Sequence, residues 1–282
     1  MLIKATPEDI KKYGEFAYSV ALNPKKSCYP TYADGIKTKT DFFKAAERAI
    51  AKETYELLLF GIDGKVEGWI SYYWIPEDRY LQLYEFNINR GTKQALAELL
   101  KTIETKFAGY TAYFGFPGDN QEAIHFLSEH GFQCIEQDWN HSFFFDGYTA
   151  KEHDDCIEKI FRYNFDKFRR VYHEDPDTYW NADRIFERID DWTIFVYNQA
   201  DQPIAAVFLT GKDGYYEIYG SEFADEVFNE SVFRELLTAS LSECKCLDAK
   251  YMTYFCAEDE KSVLGELGFQ CVGQYVLYIK EL

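Results

Sequence analysis

The residue types that bind metals or attack carbonyls are present in this chain but poorly arranged for either task. Cys244-Lys245-Cys246 has no second pair of ligands, and His125 and His130 are spaced wrongly for one helical face. No metal site is expected. No serine or cysteine can be matched with a histidine as an activated nucleophile. His173 with Glu174, Asp175 and Asp177 reads as a polar loop. Tyr172, Tyr179 and Trp180 suit a pocket for an organic cation, yet in a chain that is 18% aromatic such a cluster more often packs in a core. Two features stand apart. Glu85 lies in the apolar run Leu83-Tyr84-Glu85-Phe86, where alternation sets it opposite Tyr84 and Phe86, toward a cleft or toward solvent. Arg90-Gly91-Thr92-Lys93-Gln94-Ala95 then forms a glycine-containing turn with a basic start to the next helix.

These residues need elements to hold them. Ile3 and Ala5 suggest a short strand. Thr6, Pro7 and Asp9 supply an N-cap, a proline at the first helical position and a capping-box acid, and Ile10, Tyr13, Ala17 and Val20 continue as a helical stripe. A second helix is expected over 41–52. Strands over 55–62 and 66–74 are joined through Asp63-Gly64, a strong hairpin signal. A strand over 80–88 carries Glu85. A helix follows with Leu96, Leu99, Leu100, Ile103 and Phe107 on one face, then a strand over 110–116, a helix over 121–129 and one or two strands over 132–145. The second part opens with helices over 150–172 and 182–190. Strands over 192–197, 204–210 and 215–219, a helix around 231–241, a strand over 250–256, a short helix and a last strand complete it.

The two parts are copies. Residues 127–137 read LSEHGFQCIEQ and residues 264–274 read LGELGFQCVGQ, an offset of 137. At that offset Leu96, Leu99 and Leu100 fall on Phe233, Leu236 and Leu237, and Gly68 and Ile70 fall on Ala205 and Val207. Several registers in order indicate a duplication. The boundary is expected near 146–149, giving halves 1–147 and 148–282.

Asn120-Gln-Glu-Ala123-Ile124-His-Phe126-Leu127-Ser-Glu-His130-Gly131-Phe132 resembles the Asn-x-x-Ala-x-x-Phe-Tyr-x-x-x-Gly-Phe pattern of the Gcn5-related N-acetyltransferase (GNAT) superfamily. The resemblance implies an α+β fold of two tandem GNAT-like units, each a mixed, mostly antiparallel sheet flanked by helices. It also implies acetyl-CoA as co-substrate. The family's diphosphate loop, Gln/Arg-x-x-Gly-x-Gly/Ala, corresponds to Arg90, Gly91, Thr92, Lys93, Gln94 and Ala95, so that backbone N–H groups at a helix start meet the diphosphate. Phe86, Asn87 and Ile88 on the central strand, and Asn120, complete the implied cofactor contacts, and Glu85 takes the place of the family's base. The match departs in two places. Lys93 occupies the glycine slot, and Leu127, like Leu264, stands where a tyrosine commonly protonates the departing thiolate. In the second half Val227, Glu230 and Val232 replace the loop, with Asp225 and Glu226 beside them, so that half is expected to lack a cofactor site.

The function implied is N-acyl transfer from acetyl-CoA to a small amine; the alternative is a non-catalytic GNAT-like module that binds a ligand or a protein. The net charge of −18 favours a cationic amine and disfavours nucleic acid or an anionic membrane, and with them aminoacyl transfer from tRNA. The apolar runs are too short to span a bilayer, the start of the chain lacks the pattern of a signal peptide, and the seven cysteines form no regular framework, so a reduced, cytoplasmic setting is expected.

Overall fold

The computed structural model describes residues 1–29, 31–174 and 179–282, so Asp175 and Asp177 of the expected polar loop lie outside the described residues. The chain divides into two compact units: residues 1–137 with 273–282, and residues 138–272.

The first unit begins with strand β1 (Leu2–Lys4) and helix α1 (Pro7–Ala21). The Thr6 N–H donates to the Asp9 carboxylate at 2.9 Å while the Asp9 N–H donates back to Thr6 Oγ1 at 3.3 Å, which closes the capping box. Thr38 and Asp41 repeat the device and start α2 (Lys39–Ala51) two residues earlier than expected. Each cap is worth about 1 kcal/mol. Strands β2 (Tyr55–Ile62), β3 (Lys65–Ile75) and β4 (Tyr80–Ile88) then form an antiparallel meander. Asp63 and Gly64 turn between the first two with φ of +51° and +74°, as a two-residue hairpin loop requires. Helix α3 (Thr92–Lys106) leads to β5 (Thr111–Pro117), which runs parallel to β4. Helix α4 (Gln121–Glu129) ends at His130 and turns through Gly131, φ +80°, into β6 (Gln133–Phe144).

Of the two helices expected to open the second half, the one over 182–190 is present as α6 (Ala182–Glu187) and a following 3-10 turn (Ile189–Asp191), but 150–172 is not one helix. Strand β7 (Ile157–Lys159) pairs antiparallel with β8 (Trp192–Gln199), and among the described residues between them α5 (Asp166–Arg169) and α6 are α-helical. The cause is local. Asp154 Oδ1 accepts the Cys156 N–H at 2.8 Å and sends the chain out extended, and Asn164 binds both the Phe161 N–H and the Lys159 carbonyl. The aromatic spacing that imitates a helical stripe instead packs Phe165 and Phe168 into a core with Trp192 and Phe208. Strands β9 (Gln202–Lys212) and β10 (Tyr215–Phe223), helix α7 (Glu230–Cys246), strand β11 (Tyr251–Cys256), helix α8 (Lys261–Leu267) and strand β12 (Gln270–Glu281) follow.

The strand order is β1-β2-β3-β4-β5-β12 in the first unit and β7-β8-β9-β10-β11-β6 in the second. Strands β2 to β5 and β8 to β11 keep the same order at the 137-residue offset, and β1 and β7 take the same edge position at an offset of 155, while the closing strand of each sheet comes from the other half of the sequence. Tyr278 of β12 pairs with Phe114 of β5, and Phe143 of β6 pairs with Met252 of β11. Val276 and Tyr278 accordingly sit in the core of the first unit, and Phe143 and Phe145 in that of the second. The compact units therefore differ from halves cut at 147/148 by one strand each.

Two apolar layers sandwich the first sheet. Leu57, Leu59 and Trp69 pack under Ile10 and Ala17 of α1 and Phe42 and Ala46 of α2. On the other face Ile70, Leu83 and Phe86 pack under Leu96 and Leu99 of α3 and Phe126 of α4. This is a three-layer α+β unit.

Candidate functional site

In the first unit β4 and β5 pair at Tyr80, Leu81 and Gln82, and residues 83–88 of β4 continue without pairing to β5. A bulge helps the strand turn away: Ser71 pairs with Glu85 and Tyr72 with Leu83, so Tyr84 is an extra residue. A gap between the two strands results.

Glu85 does not face solvent. It is 2% exposed, beneath α1 and α2. Its Oε2 accepts from Trp69 Nε1 at 2.9 Å and Ser71 Oγ at 3.2 Å, and its Oε1 from the Tyr32 hydroxyl at 3.2 Å. Burial pushes its carboxyl up to about 7, against the pull of those three donors and of Lys37. A carboxyl poised there has the proton affinity of a general base at neutral pH. Strand alternation suggested the face, but only tertiary packing covers it.

The neighbouring residues serve several ends. Phe86 is fully buried and packs on Phe116, ring centroids 5.6 Å apart. Asn87 is 3% exposed, and its Nδ2 finds no hydrogen-bond partner among the described residues. Arg90 bends back to Glu67, Nη2 to Oε1 3.1 Å. Gly91 takes φ +82° at the start of α3, and a Cβ there would lie 2.6 Å from Ile62 Cδ1. No side chain caps α3, so its leading N–H groups have no acceptor from a capping side chain. Thr92 is buried, Lys93 is exposed, and Gln94 is exposed with Nε2 on Glu98 Oε1 at 3.0 Å. Ala95 is fully buried in the core under α3, so its small size serves packing.

Segment 26–29, in the connection from α1 to α2, lies in the gap. The Ile88 N–H donates to the Lys26 carbonyl at 2.9 Å, and the Tyr29 N–H donates to the Gly115 carbonyl on β5 at 3.0 Å. Asn120 Nδ2 donates to the Ser27 carbonyl at 3.0 Å, while its Oδ1 caps α4 through Ala123 N. Lys26 Nζ reaches Asn89 Oδ1 at 2.9 Å. Ser27, Cys28 and Tyr29 are buried, and burial pushes the Cys28 thiol up. The chain thus places a segment of its own between β4 and β5. Nothing in the polar stretch Asn23-Pro-Lys-Lys-Ser-Cys signals this.

The second unit repeats the gap, and no segment of the described residues bridges it as 26–29 does in the first. Strand β10 pairs with β11 only from Tyr215 to Ile218, bulges at Tyr219, and continues to Phe223. A cavity of about 580 Å³ lies there, bounded by Gly220, Ser221, Glu222 and Phe223 on one side and Tyr254 and Ala257 on the other. Glu260, 5% exposed, accepts from Ser221 Oγ, the Tyr254 hydroxyl and the Ala257 N–H at 2.5, 2.8 and 2.9 Å. The start of α7 differs from that of α3: Asn229 Oδ1 accepts the Val232 N–H at 3.2 Å, and Asp225, Glu226 and Glu230 stand around it. The aromatic cluster of the second half is packed, with the Tyr172 hydroxyl on the Trp180 carbonyl at 2.7 Å and Trp180 against Trp192. Among the described residues no three acidic, histidine or cysteine side chains converge as a metal site, and no helix is long and apolar enough to cross a membrane.

Sequence reasoning missed Tyr32, Trp69 and Ser71 around Glu85, and Ser221, Tyr254 and Glu260 in the second unit. One signal was available: at the 137-residue offset Asn120 falls on Ala257, so the residue that holds segment 26–29 has no counterpart.

No protein-family model matches the chain, and no curated protein does. Solved structures do. A GCN5-related N-acetyltransferase from Sphaerobacter thermophilus superposes with a TM-score of 0.65 at 15% identity, over 100% of this chain and 95% of that one. A tandem GNAT protein from the clavulanic acid biosynthesis pathway gives 0.53 at 12%, over 100% and 98%. A GCN5-related glucosamine N-acetyltransferase region of a fungal multi-domain β-N-acetylglucosaminidase gives 0.60 at 10%, over 99% of this chain and 38% of that one. At such identities the likeness is one of fold.

Proposed function

We propose, from the tandem GNAT fold that this chain carries, that it is an acetyl-CoA-dependent N-acyltransferase acting on a small cationic amine. The observation that carries this reading is the contrast between two helix starts. Helix α3 opens on Gly91 in a left-handed conformation with no capping side chain and with Lys93 exposed beside it, whereas α7 is capped by Asn229 among acidic residues. Only the first suits a diphosphate. Residues 90–94 would hold it there, and bound acetyl-CoA would supply an activated acyl group. Glu85, with its carboxyl raised to about 7, is the candidate proton acceptor for the incoming ammonium. The net charge of −18 favours a cationic acceptor.

A second reading, a non-catalytic GNAT-like module, is favoured by segment 26–29. While Lys26 and Tyr29 bridge Ile88 and Gly115, a ligand arm between β4 and β5 has to displace them.

Thermal unfolding with acetyl-CoA separates the two. At about 100 times its dissociation constant a bound ligand adds about 2.7 kcal/mol, which raises Tm by several degrees. Lys93→Glu reverses an exposed charge and should abolish the rise, and Glu230→Gln at α7 should leave it intact. No rise in the unmodified protein, or a rise lost only in Glu230→Gln, leaves the second reading in its place.

A further inference from the structure

We infer that the open gap of the second unit is a binding site for a small organic ammonium ion. The site is distinct from the turn proposed for the diphosphate and uses none of its residues.

The cavity exists because β10 and β11 part after Ile218 and Tyr254, and because no segment of the described chain enters as 26–29 does in the first unit. Its volume, about 580 Å³, falls in the range of small-molecule sites. Its chemistry is one-sided. Glu222, Glu226, Asp259 and Glu260 line it, and no lysine or arginine does among the described residues. Among the described residues His173 stands at its edge, with Nδ1 2.9 Å from Glu222 and Nε2 3.9 Å from Glu226.

Apolar surface makes the site organic in its preference. Phe223 and Phe228 meet at 5.6 Å between ring centroids and form one wall, and the ring of Tyr254 contributes to another. Aromatic faces beside carboxylates hold an alkylammonium group through both its charge and its methylenes. The same carboxylates do not converge as a metal site. Burial raises the carboxyls of Glu222 and Glu260. An acyl-CoA arm is opposed here, because its diphosphate would meet Asp225, Glu226 and Glu230 at the capped start of α7.

The test is isothermal titration calorimetry of the full chain with putrescine and, separately, tetramethylammonium, without acetyl-CoA. Its outcome is therefore independent of the function proposed above. Saturable binding at one site per chain is expected for at least one probe. Glu222→Gln should weaken it about tenfold, equivalent to 1.4 kcal/mol, and Phe228→Ala by a similar factor. Glu226→Gln, at a largely exposed side chain, should weaken it several-fold. The inference is overturned if neither probe binds up to millimolar concentration, if Mg²⁺ or inorganic phosphate binds equally well, or if all three variants bind as the unmodified chain does.

Discussion

Asn120 joins two parts of the first unit through one side chain: Oδ1 caps α4 at Ala123 N, 3.3 Å, and Nδ2 holds the Ser27 carbonyl, 3.0 Å. Asn120→Ser keeps a cap-forming oxygen but cannot reach Ser27. Stability should fall by no more than about 1 kcal/mol, while amide exchange at 26–29 quickens. If the segment competes with acetyl-CoA, affinity should rise in the same variant. A fall in affinity with unchanged exchange would instead give Asn120 a direct part in binding.

Glu85 should make the protein less stable as pH rises. Its folded pKa, about 7, lies above its ordinary value of 4.5, so the folded state holds the proton more tightly. The stabilisation is complete below pH 4.5 and is lost as pH climbs through about 7, by roughly 3 kcal/mol in all. Glu85→Gln should flatten this part of the stability profile and be the more stable protein at pH 8. Urea unfolding of both proteins between pH 4 and 8.5 measures it. Parallel curves would show that Glu85 titrates normally.

The same substitution tests chemistry. If Glu85 accepts the ammonium proton, kcat/KM for an amine should rise through about pH 7 and level off. Glu85→Gln should lose that inflection with little change in acetyl-CoA affinity. An unaltered profile removes Glu85 from the reaction.

Gly91 is held at φ +82°, with Ile62 Cδ1 only 2.6 Å from where a Cβ would stand. Gly91→Ala should cost about 1–2 kcal/mol from the left-handed backbone alone, and more if Ile62 cannot shift. Chemical denaturation gives the value. A neutral result would mean that the turn relaxes to another conformation.

Local signals in the sequence were reliable wherever a few adjacent residues decide the structure. Thr6 with Asp9, Asp63 with Gly64, and the turn at Gly131 all act as their types and spacing imply, and β4 and α4 begin and end where expected. The strand at Ile157 was hidden because three residues are too few to show alternation, while Phe161, Phe165, Phe168 and Tyr172 imitate a helical stripe. Glu85 was placed on the right strand, but its burial depends on Tyr32 and Phe42, which arrive from distant sequence. The exchange of β6 and β12 was illegible for a different reason. Gln133-Cys134-Ile135 and Gln270-Cys271-Val272 are near-copies, and either could serve as the closing strand of either sheet.

That exchange makes each half of the chain an obligatory chaperone of the other. A fragment ending at residue 147 would carry β6 with no β11 to pair with, and would leave the β5 edge at Phe114 and Phe116 bare. Such an edge recruits any strand available, including another copy of itself. Nicking the intact protein at Gly147 should have the opposite effect, because both pieces remain clasped by the strands they lent, and the two should elute together until denaturant is added. A chain that loses only its last ten residues is damaged at its beginning. It forfeits Val276 and Tyr278 from the core that holds Glu85's sheet, so a C-terminal frameshift would present as an N-terminal folding defect.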